Sequence, residues 1–461
     1  MQTTSATYFA FIAAAFFIYW AASRFRILRF AILLFANVLF CARFGVFYIV
    51  LVPVAASVDF FVGLGLMRFS HPLVRRMLLA VSLILNLGLL IGSRHMGAIL
   101  EYARPAEHWD WIFPLGLSFY TFQALTYTID LYRKDAEGTS SILAYLASVS
   151  FFPTILAGPI TRVADLVKQF EREPRLEPAD GGRAFFLIGL GLAKKFLIAD
   201  YLAVNLVNRV FDTPDLYSGF EVLVAVFAYS LQLYYDFSGY TDIARGAGQL
   251  FGVKLPINFD RPYMSLDIAE FWRRWHISFS NWLRDYVFYS LPGNRTRVMP
   301  YINLIVTMVL GGLWHGLTWN FAIWGLLHGG ALAIVRGWQS WRGRWRPPVP
   351  WYQQVPAMGL TYLFVCFAWI FFRAGTLDQA VSILRRIGSL SFSAENLSPA
   401  IGGVLLVAVA GCLATKKIYG AAIDFFSSRP VLVPAVALAL IAIVIEALGG
   451  RGSAPFVYSR F

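Results

Sequence analysis

Long apolar runs separated by short polar segments extend along the whole chain. Several runs approach the ~20 apolar residues with which an α-helix crosses a bilayer. The pattern predicts an all-α, polytopic membrane protein with roughly 11–14 membrane segments, including re-entrant, broken and interfacial helices. No internal repeat or linker divides it, so we predict one membrane domain over residues 1–461. The predicted segments are residues 7–22, 27–42, 44–66, 77–92, 112–131, 141–157, 184–211, 219–235, 299–316, 317–335, 356–372, 400–415 and 430–448.

The first apolar run resembles a secretory signal, but no positive charge precedes it. Arg24, Arg26 and Arg29 follow the run instead. We therefore predict a retained first transmembrane helix rather than a cleaved peptide. Because positive charge favours the cytoplasmic side, the N-terminus is expected outside and the first loop in the cytoplasm.

Residues 141–160 read SILAYLASVSFFPTILAGPI, so Pro153 and Gly158-Pro159 interrupt the apolar run. The polar loops on either side, 133–138 and 161–183, are both expected in the cytoplasm. A single crossing would place these loops on opposite sides, so we predict a re-entrant hairpin or a broken helix. Such a segment either lines a cavity or is simply buried in protein, and the sequence leaves both interpretations open.

Residues 234–263 are rich in glycine, proline, aspartate and aromatic residues. Turn residues at this density disfavour a spanning helix, so we predict an irregular segment folded against the helical bundle. Asp236 and Asp242 are interpreted as structural acceptors for backbone or arginine partners rather than as catalysts.

Composition agrees with a membrane protein, since 58% of the residues are hydrophobic and only 14% are charged. The net charge of +13 does not indicate nucleic-acid binding, because the basic residues gather between apolar runs, where positive-inside topology places them. Cys41, Cys366 and Cys412 lie in or beside apolar runs without ligand spacing and are predicted to be buried packing residues. The basic groups are Arg68 with Arg75 and Arg76, Arg133 with Lys134, and RGWQSWRGRWR at 336–346.

Residues 267–286 have the pattern of a helix at the membrane interface. Asp267 falls in the first turn, where a carboxylate complements the helix dipole, and Glu270 and Arg274 are spaced as an ion pair. The aromatic stripe of this helix consists of Trp272, Trp275, Phe279 and Trp282. The same spacing would place His276 on the face of Trp272 and Ser280, where a hydrogen-bonded interfacial histidine is the simpler interpretation.

His315 interrupts apolar sequence on both sides. An ionisable group in such a segment is a functional candidate, and burial keeps an imidazole neutral, so His315 qualifies as a general base. Gly311, Gly312 and Gly316 permit close approach of backbone or ligand. The alternative is a packed histidine bonded to a carbonyl. His328, near the end of the next run, is a weaker candidate.

Motifs for other chemistries are missing from the sequence: there is no Walker A, Gly-x-Ser-x-Gly, His-Glu-x-x-His or Cys-x-x-Cys pattern. The histidines lack metal-ligand spacing, so we expect no metal site. A transporter would be expected to show two related halves, which are not evident here.

Several long motifs resemble those of the membrane-bound O-acyltransferase family, in particular its bacterial polysaccharide-acetylating branch and the related branch that transfers D-alanine to teichoic acid. The motifs are PLGLSFYTFQALTYTIDLYR (114–133), FFPTILAGPITR (151–162), GLAKKFLIAD (191–200), YYDFSGYTDIARG (234–246), NFDRPY (258–263), FWRRWHISFSNWLRDYVFYSLPGNR (271–295), GGLWHGLTWNFAIWGLLHG (311–329) and PFVYSRF (455–461). One departure is YSLPGNR, where relatives often have a Pro-Leu-Gly-Gly turn.

The resemblance implies transfer of an acyl group from a thioester to a hydroxyl, with His315 and His276 as the catalytic residues. His315 would accept the hydroxyl proton, and His276 would either orient the acceptor or stabilise the oxyanion. No bound cofactor is expected, since acetyl-CoA or another acyl thioester serves as donor substrate. The predicted substrate-contacting residues are Trp314, Trp275, Arg273, Arg274 and Asn281.

The predicted function is O-acetylation of an extracellular or periplasmic polysaccharide, such as alginate, by a multi-pass protein of the bacterial inner membrane. The expected partners are the lipid bilayer, a cytoplasmic acyl donor, and a polysaccharide or a protein that passes the acetyl group on. Two alternatives remain: D-alanyl transfer from a carrier protein to teichoic acid, and non-enzymatic transport of glycans or acyl donors.

Overall fold

The computed structural model describes residues 5–42, 46–103, 116–156, 158–293, 296–343 and 350–449. Within these ranges the regular elements are all helical, as predicted. The predicted segment 112–131, the basic stretch 336–346 and YSLPGNR lie partly outside the described residues, and PFVYSRF lies wholly outside them.

Twenty α-helices and several shorter helical turns make up the described chain. The first nine are α1 (Ala6–Ala21), α2 (Arg26–Ala42), α3 (Val46–Arg68), α4 (Pro72–Ala103), α5 (Leu117–Arg133), α6 (Ile142–Val149), α7 (Phe152–Ile155), α8 (Val163–Glu171) and α9 (Pro178–Leu192). The others are α10 (Asn208–Asp212), α11 (Gly219–Leu250), α12 (Ile268–Arg274), α13 (Ile277–Trp282), α14 (Met299–His315), α15 (Trp319–Arg342), α16 (Trp351–Arg373), α17 (Leu377–Gly388), α18 (Pro399–Leu413), α19 (Lys416–Ser428) and α20 (Leu432–Gly449). Turns of π-helix occupy Ala193–Asp200, Ala203–Val207 and Leu283–Val287.

Four helical segments in the described ranges are long and apolar enough to cross a membrane: Ile49–Arg68, Pro72–Gly92, Trp319–Arg342 and Tyr352–Arg373. A fifth span is possible if α18 and α19, which are bent by 92° at their junction, act as one broken span. Shorter apolar helices include α1, α14 and most of α20. The chain is therefore a multi-pass membrane protein, but fewer single helices reach spanning length than the 11–14 segments predicted, because many apolar runs form short or broken helices.

The chain forms two compact units. One comprises Met1–Ile188, Tyr240–Pro256 and Phe426–Ala435; the other comprises Gly189–Gly239, Ile257–Phe425 and Val436–Phe461. The single domain inferred from the sequence remains a prediction.

Two arginines of the first unit are buried and bond to the last carbonyl groups of helices. Arg75 donates to Leu131 O at 3.0 Å and Tyr132 O at 2.8 Å, and also to Leu66 O near the end of α3. Arg29 donates to Phe170 O at 2.8 Å in the last turn of α8. Because helix C-termini carry unpaired carbonyl groups, these guanidinium groups stabilise helix ends inside the protein.

The predicted break in residues 141–160 is present. Helix α6 ends at Val149, and α7 is a short helix of 4 residues that starts at Phe152. Asn37 holds the break, since its amide donates to Ala147 O at 3.3 Å and its carbonyl accepts from Phe152 N at 3.0 Å. A segment this short, at about 1.5 Å per residue, does not span ~30 Å of hydrocarbon, which fits a segment that enters the membrane without crossing.

The prediction of an irregular segment over residues 234–263 is wrong for its first half, because α11 continues without interruption to Leu250. Its glycines serve close packing instead of turns. A Cβ at Gly239 would lie 2.8 Å from Gly191 O, and a Cβ at Gly246 would lie 2.7 Å from Ala184 O. Helix-to-helix contact at backbone distance outweighs the low helix propensity of glycine here.

Asp236 of α11 is a buried partner of a lysine. Lys195 Nζ lies 2.8 Å from Asp236 Oδ1 and 2.7 Å from Asp200 Oδ1, and all three side chains are buried. Asp242 lies 3.5 Å from Arg245 on the same helix. Both aspartates therefore have cationic partners, as expected of structural acceptors, although the partner of Asp236 is a lysine and not an arginine.

Helices α14 and α15 form a hairpin with backbones in direct contact. A Cβ at Gly325 would lie 2.5 Å from Met308 O, and one at Gly329 would lie 2.7 Å from the Cα of Ile305. Gly312 of α14 faces Phe321 O in the same way. Small residues four apart on a helix permit this approach in membrane proteins. The hairpin fixes His315, which is the last residue of α14.

We expect Gly325→Ala to lower the melting temperature of the purified protein, because the added methyl group meets backbone that cannot move aside. Overpacking of this kind costs about 1–3 kcal/mol. Gly330→Ala is the matched control, since nothing lies within 4 Å of its added Cβ. Equal melting temperatures of the two variants would contradict the packing described.

Candidate active site

The predicted helix over residues 267–286 is broken in two. Asp267 caps α12, accepting from Glu270 N at 2.7 Å, and Glu270 in turn accepts from Leu266 N at 2.7 Å. The helix ends at Arg274, and α13 begins at Ile277. His276, at the break, has left-handed backbone angles of φ 41° and ψ 55°. The expectation that His276 shares a helical face with Trp272 and Ser280 is therefore wrong.

The break is held by a distant segment of chain. Ile277 N donates to Asn258 O at 2.9 Å, and Asp260 N donates to Arg274 O at 2.9 Å. These bonds satisfy backbone groups that a continuous helix would have paired internally. Left-handed angles are several-fold enriched in histidine, asparagine and aspartate among non-glycine residues.

The His276 side chain is buried and bonded to Asn258. Its Nδ1 lies 3.1 Å from Asn258 Oδ1, which also accepts from Ser278 N at 3.1 Å and from Ser278 Oγ at 3.0 Å. A backbone N–H bonds only to an acceptor, so this atom is the amide oxygen, and His276 Nδ1 must carry the proton. Burial lowers the pKa of His276 to about 3. A neutral imidazole protonated on Nδ1 presents a lone pair on Nε2.

His315 is enclosed by aromatic rings. It is only 4% exposed, and the ring centroids of Trp314 and Phe372 lie 4.5 and 4.8 Å from its own. Trp324 and Phe321 follow at 5.6 and 5.9 Å. Rings offer little solvation to an imidazolium, so these surroundings favour a neutral side chain able to take up a proton.

Phe279 connects the two histidines. Its ring centroid lies 5.0 Å from that of His276 and 6.2 Å from that of His315. Because both imidazoles contact the same ring, the fold brings the two histidines close together. In the sequence they are 39 positions apart. On its other side, His276 contacts Phe237 of α11 at 4.6 Å.

The other predicted site residues divide into three groups. Trp314 contacts both Phe279, at 4.7 Å, and His315. Trp275 is a core residue and Arg274 pairs with Glu270 at 2.6 Å, so each has a structural partner. Arg273 and Asn281 are exposed. Of the five predicted substrate contacts, Trp314 is the one that the described contacts place against His315.

His328 is completely buried and contributes to the packing of α12 on α15. The indole of Trp272 donates to His328 Nδ1 at 3.3 Å, and Trp324 lies between His328 and His315, at 4.8 Å from the former and 5.6 Å from the latter. Trp324 thus contacts both histidines, and the weaker candidacy of His328 stays a prediction.

Asn258 is the residue that sequence reasoning missed. It belongs to the motif NFDRPY, but nothing in the spacing of that motif connects it with a histidine 18 positions later. The signal available was a polar residue in a stretch without helical periodicity. That signal does not identify a partner.

A protein-family model matches the part of the chain that contains these residues. Residues 111–374 match the model of the membrane-bound O-acyltransferase family, and this range includes both histidines and Asn258. The chain belongs to this family. The peptidoglycan O-acetyltransferase of Helicobacter pylori is 34% identical over 391 residues, which cover 78% of this chain and 73% of that protein.

Two further relatives are named for the transfer of different acyl groups, acetyl in one case and D-alanyl in the other. A probable alginate O-acetylase of Azotobacter vinelandii is 43% identical over 272 residues, or 58% of this chain and 52% of that protein. The teichoic acid D-alanyltransferase of Streptococcus thermophilus is 31% identical over 247 residues, or 49% of this chain and 57% of that protein. The chain thus spans about half the length of the alginate relative.

The left-handed backbone at His276 predicts that a glycine variant is more stable than an alanine variant, the reverse of the order in a helix interior. Neither His276→Gly nor His276→Ala retains the imidazole, but only glycine adopts left-handed angles without cost, so we expect the glycine variant to be more stable by roughly 1 kcal/mol. Chemical or thermal unfolding of the two purified variants measures the difference. A more stable alanine variant, as in a helix interior, would contradict the left-handed backbone.

Proposed function

We propose that this protein is an O-acetyltransferase of the bacterial inner membrane, acting on a polysaccharide outside the cytoplasm. The observation that carries the proposal is the meeting of two buried histidines at Phe279, inside the range that matches the acyltransferase family. Relatives named as O-acetylating enzymes are 34–43% identical to the chain, whereas the D-alanyltransferases of Streptococcus thermophilus and Bacillus subtilis are 31% identical. Acetate is therefore the proposed acyl group.

In the proposed reaction, His315 takes the proton of the acceptor hydroxyl while the hydroxyl oxygen attacks the thioester carbonyl carbon. The tetrahedral intermediate then collapses, the carbon–sulfur bond breaks, and His315 returns the proton to the departing thiolate. The proton is conserved over the cycle, so the site needs neither an external acid nor a metal ion to complete it. The aromatic surroundings of His315 support this role by excluding water that would otherwise hydrolyse the donor.

The tautomer of His276 supports one of the two roles left open by the sequence. Its Nδ1 proton is committed to Asn258, so Nε2 can accept a hydrogen bond but cannot donate one. Stabilisation of an oxyanion requires a donor. We therefore assign His276 to orientation of the acceptor hydroxyl, and Asn258 to the positioning of His276.

The donor is proposed to be acetyl-CoA, or another acyl thioester, which reaches the site from the cytoplasm. The acetyl group leaves on the opposite side, onto a polysaccharide or onto a protein that passes it on. Trp314, which contacts His315, is the proposed contact for the acyl group or its acceptor. D-alanine from a carrier protein is the competing acyl group, because D-alanyltransferases are among the relatives.

We expect His315→Ala to reduce acetyl transfer at least ~100-fold, the usual contribution of a general base. The measurement is incorporation of radiolabelled acetate from acetyl-CoA in isolated membranes. His71→Ala, at an exposed position, is the control and should retain wild-type activity. An active His315→Ala protein, or label that enters from D-alanine and not from acetate, would overturn the proposal.

Asn258 and His276 are expected to act as a unit. Asn258→Ala should lower the transfer rate, and should lower it little further when His276→Ala is already present. Asn258→Asp should recover part of the rate, because a carboxylate also accepts from Nδ1. The pH–rate profiles of the three single variants and of the Asn258→Ala/His276→Ala double variant measure this, with Asn205→Ala as a control for loss of a half-buried asparagine. Additive losses and no recovery with aspartate would leave Asn258 with a packing role only.

A further inference from the structure

A second buried polar cluster belongs to the first unit and includes none of the residues assigned to the reaction. Asp59, in the middle of the candidate span Ile49–Arg68, is 0% exposed. Its Oδ1 accepts from Ser82 Oγ at 2.6 Å and its Oδ2 from Asn86 Nδ2 at 2.8 Å. Ser82 Oγ lies 2.9 Å from Thr128 Oγ1. Side chains of three helices, α3, α4 and α5, thus form one hydrogen-bonded cluster.

The charge of this carboxylate is not balanced by a side-chain cation. In the part of the chain that the structure describes, no lysine, arginine or histidine lies within salt-bridge distance of Asp59. Its hydrogen-bonding partners, Ser82 and Asn86, are neutral side chains. A lone carboxylate in an apolar interior is costly, and such residues in membrane segments usually have a partner ion or a functional role.

The Asn86 amide presents its nitrogen to the carboxylate, since Nδ2 donates to Asp59 Oδ2. The other polar atoms of the cluster are hard oxygens: the Asp59 carboxylate, the hydroxyls of Ser82 and Thr128, and the amide oxygen of Asn86, Oδ1. That oxygen is buried and has no hydrogen-bond partner among the described residues, as is also true of the Tyr145 hydroxyl. Oxygen donors of this kind suit hard metal ions. A proton on Asp59 would remove its charge but would leave the Asn86 oxygen without a partner.

The number of carboxylates determines the charge of the ion. One carboxylate with neutral oxygens neutralises one positive charge, whereas a divalent ion would leave a net positive charge inside the apolar unit. We propose that Asp59, Ser82, Asn86 and Thr128 form a binding site for a monovalent metal cation such as Na⁺, which stabilises the packing of α3, α4 and α5. This proposal is independent of the acyl-transfer function.

The first test is the melting temperature of the purified protein in detergent. Sodium chloride replaces choline chloride stepwise at constant ionic strength, so that screening does not change. We expect a saturable rise of several degrees, because an ion that binds only the folded state stabilises it. Asp59→Asn keeps the shape of the side chain and should abolish the rise, while Thr128→Val should shift its midpoint to higher sodium concentration.

Glu221→Gln is the matched control. Glu221 is also buried, but it accepts from the backbone N–H groups of Ser218 and Asn396, so it belongs to a helix cap and not to an oxygen cluster. This variant should keep the full sodium response even if its baseline stability falls. A wild-type protein without sodium response, or a response equal in wild type and Asp59→Asn, would overturn the proposal.

Direct binding of ²²Na⁺ to the purified protein provides a second measurement that does not depend on stability. We expect one ion per chain for wild type and for Glu221→Gln, and none for Asp59→Asn. Absence of bound ²²Na⁺ in the folded wild-type protein would refute the site.

Discussion

A polar group inside an apolar helical protein has to find its partner within the protein, because neither lipid nor packed side chains can supply one. Many features of this structure follow from that constraint. The Arg75 guanidinium bonds to carbonyl groups at the ends of two helices. The Asn37 amide holds the break between α6 and α7. The side-chain oxygen Oδ1 of Asn258 accepts hydrogen bonds from three donors at the break between α12 and α13. In each case a single polar side chain replaces helical bonds that the chain has given up.

The candidate active site uses this constraint to assign protons. Because Asn258 Oδ1 is held by a backbone N–H, it can only accept from His276, and the histidine is left with one tautomer. His315 is positioned in the site by packing rather than by a hydrogen bond. The glycine-lined hairpin of α14 and α15 places it at a helix end among aromatic rings. One histidine is thus positioned by a hydrogen bond and the other by packing, and Phe279 lies against both.

The buried ionisable side chains differ in how their charge is balanced or avoided. Asp236 and Asp200 both contact Lys195, whose ammonium group lies at hydrogen-bond distance from each carboxylate. His276 remains neutral through burial and its bond to Asn258. The hydrogen-bond donors of Asp59 are neutral side chains. We therefore propose a bound cation for Asp59, whereas Asp236 already has Lys195 as its cation.

The sequence by itself determined the helical membrane class and the break within residues 141–160, because these depend on apolar runs and on proline. An ionisable residue within an apolar run made His315 a candidate base, and this role stays a prediction. It also placed the Glu270–Arg274 pair, which is local to one helix. Only the tertiary structure decided that residues 234–250 remain helical, that Arg273 and Asn281 are exposed, and that the chain turns left-handed at His276. The physical reason is range: backbone contact with Gly191 and Ala184 and hydrogen bonds to Asn258 come from distant segments, and they outweigh the local preferences that a sequence pattern records.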